Sequence, residues 1–371
     1  MALALSLRFG IRAQNVSAEE ALFYEAQAAS RAKDYSRAEK LYREILARDP
    51  DVLGARVNLG LACYWQHKSR EAVRELGQAL ESSPREFSAL LFSGLAYIDL
   101  TEYDSAQTVL DRARQVNGKD PLLLWALGSI AMIHNDAPGA IPLLEGCAAL
   151  DPANVRCVWL LGVAYATVAY SERQNSAVRV RYSSQSDQAV QWMEQHRPGS
   201  ALLHVFKGDV LAARKATEAA LQEYQQALAI DPAWPDIHLL IGSLLRLTGR
   251  HDEARAELAT QLRQHPGDSR AMVELGSAYY DSARYAEAVP FLKQALERDT
   301  RNYEPNYKLG RCYLASGKPA LAIPLLERAT VLRPDDAGPY YLLFRAYRSL
   351  NEPEKAAAAL AHFKRLKSSG S

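Results

Sequence analysis

A period of 34 residues runs through this chain and constrains its fold more than any other feature. Glycines recur at this interval, with one longer interval of 46, at Gly60, Gly94, Gly128, Gly162, Gly208, Gly242, Gly276 and Gly310. Alanines keep the same period, with one interval of 80, at Ala38, Ala72, Ala106, Ala140, Ala220, Ala254, Ala288, Ala322 and Ala356. Both series therefore place one insertion of 12 residues in the same repeat. A fixed period of this length is the signature of a repeat architecture.

Each repeat is numbered here so that its glycine stands at position 8, which puts the alanine at position 20 and a recurring proline, as in Asp49-Pro50 and Asp231-Pro232, at position 32. Glycine costs about 1 kcal/mol relative to alanine inside a helix, so eight helical glycines need a packing reason. We interpret each repeat as two antiparallel helices, A and B, whose backbones approach closely at these small residues. The proline ends helix B because it cannot continue a helix.

The pattern Leu-Gly-x-x-Tyr, then Ala-x-x-x-[Phe/Tyr/Leu], then Pro resembles the tetratricopeptide repeat family. Examples are Leu161-Gly162 with Tyr165, and Ala220 with Tyr224. The resemblance implies an all-α fold, a right-handed α-solenoid (superhelix) of about ten 34-residue helix-turn-helix repeats. We expect a leader at 1–18 and a solenoid at 19–371, with repeats starting near residues 19, 53, 87, 121, 155, 201, 235, 269, 303 and 337.

The insertion lies in the fifth repeat, within 166–188, and is locally basic and aromatic because of Arg173, Arg179, Arg181, Tyr170 and Tyr182. We expect it to extend helix A by two turns and then to form a Ser/Gln-rich loop. Two interpretations stay open, a protrusion that touches a partner and a tolerated surface insertion.

Charge and composition argue against several classes of protein. The chain has 44 Lys+Arg against 43 Asp+Glu, a net charge of +1, which is unlike the basic excess of nucleic-acid binders. Its apolar runs are shorter than the roughly 20 residues that span a bilayer, so we expect no transmembrane segment. Four cysteines without a Cys-x-x-Cys pair predict small buried side chains rather than a disulfide framework or a zinc site.

No catalytic motif of the common hydrolase, metalloprotease, nucleotide-binding or calcium-binding classes occurs in the sequence. The eight histidines are scattered along the chain, without a pair at positions i and i+4. We therefore expect a protein that is not an enzyme and that has no cofactor and no metal.

In the family, helix A positions 2, 5, 9, 12 and 13 line a concave groove that grips peptides or partner helices. Here these positions form two zones. An apolar zone suits hydrophobic anchors of a partner; its candidates are Tyr64, Trp65, Leu91, Trp125, Met132 and Trp159. A Tyr/Arg zone suits acidic or C-terminal carboxylate groups; its candidates are Tyr280, Tyr307, Arg311, Tyr341, Arg345 and Arg348. Asn58 resembles the family asparagine that binds a peptide backbone. The alternative for both zones is that these side chains pack on neighbouring repeats or form a solvated face.

The carboxylate clamp of chaperone-binding members is not expected here. Its positions hold Phe23 and Gln27 in the first repeat and Ser88 and Phe92 in the third, so that only Asn58 matches.

The sequence thus predicts a non-catalytic scaffold that binds a partner protein or peptide in its groove. One rival is an exported cell-envelope assembly factor that uses the same groove; cleavage near Ala13-Gln14 would indicate it. An RNA-binding repeat protein is the weaker rival. We expect a cytoplasmic protein, with export as the alternative if the apolar N-terminal segment is part of a signal peptide.

Overall fold

The computed structural model describes residues 18–171, 175–298 and 300–369, and within these ranges the chain forms twenty α-helices and no strand. The predicted leader lies outside the described residues, apart from Ala18. The helices are Ala18–Arg31 (α1), Tyr35–Arg48 (α2), Leu53–Trp65 (α3), Ser69–Ser82 (α4), Phe87–Asp99 (α5), Tyr103–Val116 (α6), Pro121–Ile133 (α7), Ala137–Leu150 (α8), Val155–Ala169 (α9), Ser176–His196 (α10), Ala201–Ala213 (α11), Thr217–Ile230 (α12), Ile237–Leu247 (α13), His251–Gln264 (α14), Ser269–Asp281 (α15), Tyr285–Arg298 (α16), Tyr303–Ala315 (α17), Pro319–Leu332 (α18), Ala337–Ser349 (α19) and Pro353–Ser369 (α20). None of these helices is long and apolar enough to cross a bilayer.

Odd-numbered helices are the A helices and even-numbered helices the B helices of ten hairpins in the described chain. The turn between A and B holds a left-handed residue at position 15 in nine of them, with glycine at Gly249 (φ 81°) and Gly317 (φ 69°) and other residues elsewhere. In the second hairpin the N–H of Lys68 bonds the carbonyl of Cys63 at 3.0 Å, which closes the end of helix A. The predicted all-α solenoid of paired helices is confirmed.

The chain falls into two compact units, one up to Ala126 and one from Leu127 onward. Within the first unit α4 packs against α5, and within the second unit α14, α16 and α18 each pack against the helix A that follows. Successive A helices also contact one another, α3 with α5 in the first unit, and α13 with α15, α15 with α17 and α17 with α19 in the second. The A helices therefore share a layer in each unit, and their side chains meet along one face.

The glycine at position 8 makes room for a large side chain of helix B. A Cβ at Gly60 would lie 2.5 Å from Cγ of Leu76, and one at Gly276 would lie 2.8 Å from Cγ of Leu292. Leu76 and Leu292 stand at position 24 and are fully buried. In these two hairpins the glycine at position 8 therefore packs against the leucine at position 24, which lies one helical turn after the alanine at position 20.

The insertion differs from the expectation. Helix A of the fifth hairpin, α9, has 15 residues, two more than the usual 13, whereas α10 has 21 residues against the usual 14. The predicted Ser/Gln loop is instead part of α10, because Ser186 is fully buried and donates a hydrogen bond to the carbonyl of Gly162 at 3.0 Å. Residues 172–174, which include Arg173, lie outside the described residues.

The added turns of α10 start at Asn175, whose side chain accepts a hydrogen bond from the N–H of Val178. Tyr182 stacks on Tyr165, with 5.6 Å between ring centroids, and Arg179 and Arg181 are exposed. The insertion is therefore a helical extension whose tyrosine is held by packing.

The cysteine expectation was wrong for one pair. Cys147 near the end of α8 and Cys157 near the start of α9 form a disulfide, with 6.0 Å between their Cα atoms. They occupy position 27 of one repeat and position 3 of the next, where the preceding hairpins have Ala79 and Ala89. Repeat packing brings these two positions together, which a count of sequence spacing does not reveal. Cys63 and Cys312 are buried free thiols, as expected.

Candidate functional site

The ninth and tenth hairpins build a pocket of about 740 Å³ in the second unit. Helix α17 supplies Tyr307 and Arg311, and α19 supplies Tyr341 and Arg345. These are four of the six residues predicted for the Tyr/Arg zone. They meet because they stand at positions 5 and 9 of adjacent A helices, which lie side by side.

Two features that the sequence did not indicate complete the pocket. Helix α20 has 17 residues instead of the usual 14 for a helix B, and its end contributes Phe363, Leu366 and Lys367. The turn before α19 contributes Asp335 and Asp336. Phe363 and Leu366 stand at positions 27 and 30, within the usual span of a helix B, and Lys367 at position 31 belongs to the extension.

Neither of the two pocket arginines forms an ion pair with a carboxylate among the described residues. Arg311 is exposed and lies over the ring of Tyr280, with 5.2 Å from its Cζ to the ring centroid. Arg345 is exposed and belongs to no ion pair among the residues described. Tyr280, which was predicted as a groove residue, thus makes a cation–π contact with Arg311.

One acidic residue of the pocket is already engaged. Asp336 caps α19 by accepting a hydrogen bond from the N–H of Gly338 at 2.7 Å, and it accepts another from the hydroxyl of Tyr303 at 2.5 Å. Burial, together with the hydrogen bond to Asp336, raises the pKa of Tyr303, so that its phenol stays protonated. Tyr303 also lies 4.2 Å below the guanidinium of Arg333. The helix cap therefore holds Asp336 in place, whereas Asp335 is exposed at the rim.

Aromatic side chains also cluster in the first unit. Trp65 stacks on Tyr35 at 6.1 Å between ring centroids, and it meets Tyr64 and Phe92 edge-on at 5.2 and 5.9 Å. Trp65 remains 48% exposed, although three rings surround it. Two predicted residues, Tyr64 and Trp65, are thus brought together at the end of α3.

Other predicted residues are placed differently. Leu91 is only 3% exposed and belongs to the core, which is a correction to its assignment as a groove residue. Trp159 is half-buried on Phe206, and its indole N–H donates a hydrogen bond to Asp209 at 2.8 Å, so it packs between hairpins. For these two residues the packing alternative is the correct one. The reason is that neighbouring A helices lie close enough for positions 5 and 9 to touch.

The remaining predicted residues are not part of the pocket. Asn58, Trp125 and Met132 are half-buried on their own helices. Arg348 is exposed, and its guanidinium lies 5.5 Å from the ring centroid of Phe344. Among the large apolar side chains on described A helices, Leu247 is the most exposed, at 72%, and the sequence prediction did not include it. It stands at position 13, the position of Trp65, so that the family pattern could have found it.

Asp209 has an unusual environment for a carboxyl group. It accepts hydrogen bonds from Trp159 and, at 2.7 Å, from the hydroxyl of Tyr224. Burial nevertheless raises the pKa of Asp209 to about 6, because these two donors compensate only part of the lost hydration. The carboxyl group thus connects α9, α11 and α12, and it is a titratable group buried between the fifth and sixth hairpins.

Glu39, Cys63 and Glu71 lie close enough together to resemble a metal site. However, Lys68 donates to Glu39 at 2.7 Å, and Arg43 and Gln66 also donate to its carboxylate. Although burial opposes it, these hydrogen bonds lower the pKa of Glu39 to about 2. Burial raises the pKa of the Cys63 thiol to about 11. The donor set therefore does not fit a metal ion.

Comparison with known proteins agrees with this architecture. Tetratricopeptide repeat models match residues 29–91, 93–155, 181–236, 211–274, 279–330 and 307–369. Because the matched segments together span most of its length, the chain belongs to the tetratricopeptide repeat family.

Two solved structures show the same fold. A tetratricopeptide repeat protein from Parabacteroides merdae is 14% identical, with a TM-score of 0.55, over 70% of this chain and 98% of its own. Yeast Tom70 is 15% identical, with a TM-score of 0.50, over 94% of this chain and 92% of its own. No curated protein sequence matches the chain.

Proposed function

We propose that this protein is a non-catalytic scaffold that holds a partner protein or peptide on the exposed face of its A helices. The observation that carries the proposal is the exposure of aromatic side chains on A helices, with Trp65 at 48% and Tyr341 at 42%, whereas the large apolar side chains exposed on the described B helices are aliphatic. Water-exposed side chains of this size are typical anchors for a protein partner. The pocket between α17, α19 and α20 adds charged side chains, which can orient a partner through hydrogen bonds and ion pairs.

Site-specific photo-crosslinking in the native cells tests this proposal. A benzoylphenylalanine at Trp65 or Tyr341 is expected to capture a partner. The matched control is the same probe at Val331, which is 76% exposed on a B helix. Equal capture of the same partner from Val331, or no capture from Trp65 and Tyr341, would refute the assignment of the A-helix face.

A second candidate is that the scaffold works outside the cytoplasm, as a cell-envelope assembly factor. The disulfide between Cys147 and Cys157 favours this candidate, since disulfides persist mainly in oxidising compartments. The cytoplasmic alternative predicts that both side chains are reduced thiols.

Thiol counting on the protein from its native source separates the two locations. The protein is denatured in maleimide without reductant, and its mass is measured. Export predicts labelling of Cys63 and Cys312 alone, whereas a cytoplasmic protein is labelled at all four cysteines. Labelling at all four positions would contradict the exported candidate.

A further inference from the structure

We infer that the pocket between α17, α19 and α20 binds a partner segment in which acidic side chains flank an aromatic side chain. The inference rests on the proposed scaffold function and names the chemistry of the segment at one of its sites. Its basis is that two guanidinium groups outside any ion pair of the described residues share one cavity with the exposed ring of Tyr341.

The charge of the pocket selects for anions. Arg311 and Arg345 stand at position 9 of adjacent A helices and form no ion pair with a described carboxylate. Lys367 adds a third cation to the lining. Of the two carboxylates there, Asp336 is held by the hydroxyl of Tyr303 and the N–H of Gly338. By formal charge the lining has three cations against two carboxylates, whereas the whole chain is nearly neutral at +1.

The same cavity offers apolar contact area. Tyr341 lies 5.3 Å from the ring of Phe363 and is 42% exposed, and Leu366 lies in the wall beside them. Aromatic side chains pair favourably in edge-to-face or offset-stacked arrangements, so an aromatic side chain of a partner can pack against the exposed ring of Tyr341. A volume of about 740 Å³ is large enough for several side chains of a peptide.

These two features together choose among anionic ligands. A lone C-terminal carboxylate brings one negative charge to the two guanidinium groups. A segment with two or more acidic side chains satisfies both, because an arginine binds a carboxylate through two parallel hydrogen bonds. An aromatic residue between the acidic ones places its ring against Tyr341 and Phe363.

Fluorescence anisotropy with synthetic peptides and the full chain tests the inference. The probe is a short labelled peptide, acetylated and amidated, in which glutamates flank a phenylalanine. Three comparison peptides have glutamine for glutamate, alanine for phenylalanine, or neutral side chains with a free C-terminal carboxylate. The probe is expected to bind most tightly, and its affinity is expected to fall as salt is raised from about 0.05 M to about 0.5 M.

The protein variant for this test is Arg311→Gln with Arg345→Gln, which removes two charges and keeps both helices. The matched control is Arg179→Gln with Arg328→Gln, which removes two exposed charges of the same unit outside the pocket. The pocket variant is expected to weaken binding of the probe at least tenfold, whereas the control variant changes it less than twofold.

The outcomes are distinct. Unchanged binding by the pocket variant, or equal affinity for the glutamine peptide, overturns the site. Tighter binding of the peptide with the free carboxylate overturns the chosen ligand, and no binding of any peptide overturns the inference as a whole. Because partner capture at Trp65 is measured independently in the first unit, failure of the peptide assay is distinguishable from failure of the scaffold proposal.

Discussion

The replacement Gly60→Ala tests the packing rule that repeats along the chain. A Cβ at Gly60 would lie 2.5 Å from Cγ and 2.6 Å from Cδ2 of Leu76, whereas carbon atoms in contact are separated by about 3.5–4.0 Å. Leu76 is fully buried, so it has no open space to move into. Overpacking of this kind costs about 1–3 kcal/mol. We therefore expect Gly60→Ala to destabilise the second hairpin.

The same hairpin contains a matched control. Gly77 lies in α4 with nothing within 4 Å of the position of its Cβ. Gly77→Ala is expected to stabilise by about 1 kcal/mol, since alanine is the better helix former. Both variants gain the same helix propensity, so the difference between them isolates the overlap with Leu76, about 1–3 kcal/mol.

Hydrogen exchange of peptides from α3 and α4 is the appropriate assay, because local openings in repeat proteins need not involve the whole chain. The expected difference in exchange rate between Gly60→Ala and Gly77→Ala is about 5- to 150-fold, since about 1.4 kcal/mol corresponds to a factor of ten. Peptides from α15 and α16 serve as an internal reference. Equal protection in the two variants would refute the argument.

A double-mutant cycle gives a second check on the same contact. Leu76→Ala removes the atoms that a Cβ at Gly60 would meet. Adding Gly60→Ala to the Leu76→Ala variant should then be neutral or stabilising, by up to about 1 kcal/mol. If Gly60→Ala stays destabilising in that background, the overlap with Leu76 is not its cause.

Three further predictions concern stability. The pKa of Asp209 is about 6 against an ordinary 3.8, so the folded state favours the protonated acid. The free energy of unfolding therefore falls as pH rises from about 4 to 6. Urea unfolding should show that Asp209→Asn removes about 2–3 kcal/mol of this pH dependence. Replacing Cys147 and Cys157 by alanine should lower the free energy of unfolding by about 2–3 kcal/mol, because the disulfide closes a loop of 10 residues. Ala283→Gly should stabilise by about 1 kcal/mol in thermal unfolding, since Ala283 has φ 58°, whereas Ala256→Gly in exposed α14 should destabilise by a similar amount.

Each of these predictions has a contrary outcome. An unchanged pH dependence in Asp209→Asn would mean that its carboxyl is already ionised at pH 4. If the cysteine variant, the reduced parent protein and the oxidised parent protein all have the same free energy of unfolding, the disulfide does not restrict the unfolded chain. A loss of stability in Ala283→Gly would show that the left-handed turn is not strained by a side chain.

The repeat positions show what periodicity predicts and what packing decides. The 34-residue period predicts the paired helices, since recurring small residues at positions 8 and 20 favour a close approach of two helices, and a proline at position 32 of most repeats cannot continue helix B. The period does not predict which side chains each residue contacts. Trp159 and Tyr341 stand at the same position of their repeats, yet Trp159 is bonded to Asp209 and Tyr341 is open to solvent.

The sequence by itself thus determined the helix pairs, the site of the insertion and the four residues of α17 and α19 that meet in the pocket. Periodicity reports which face of a helix a residue occupies, because that depends on local geometry alone. The tertiary structure decided the disulfide, the extension of α10 rather than α9, and the part of α20 that completes the pocket. These depend on contacts between hairpins, which are set by the size and hydrogen bonds of individual side chains and not by their period.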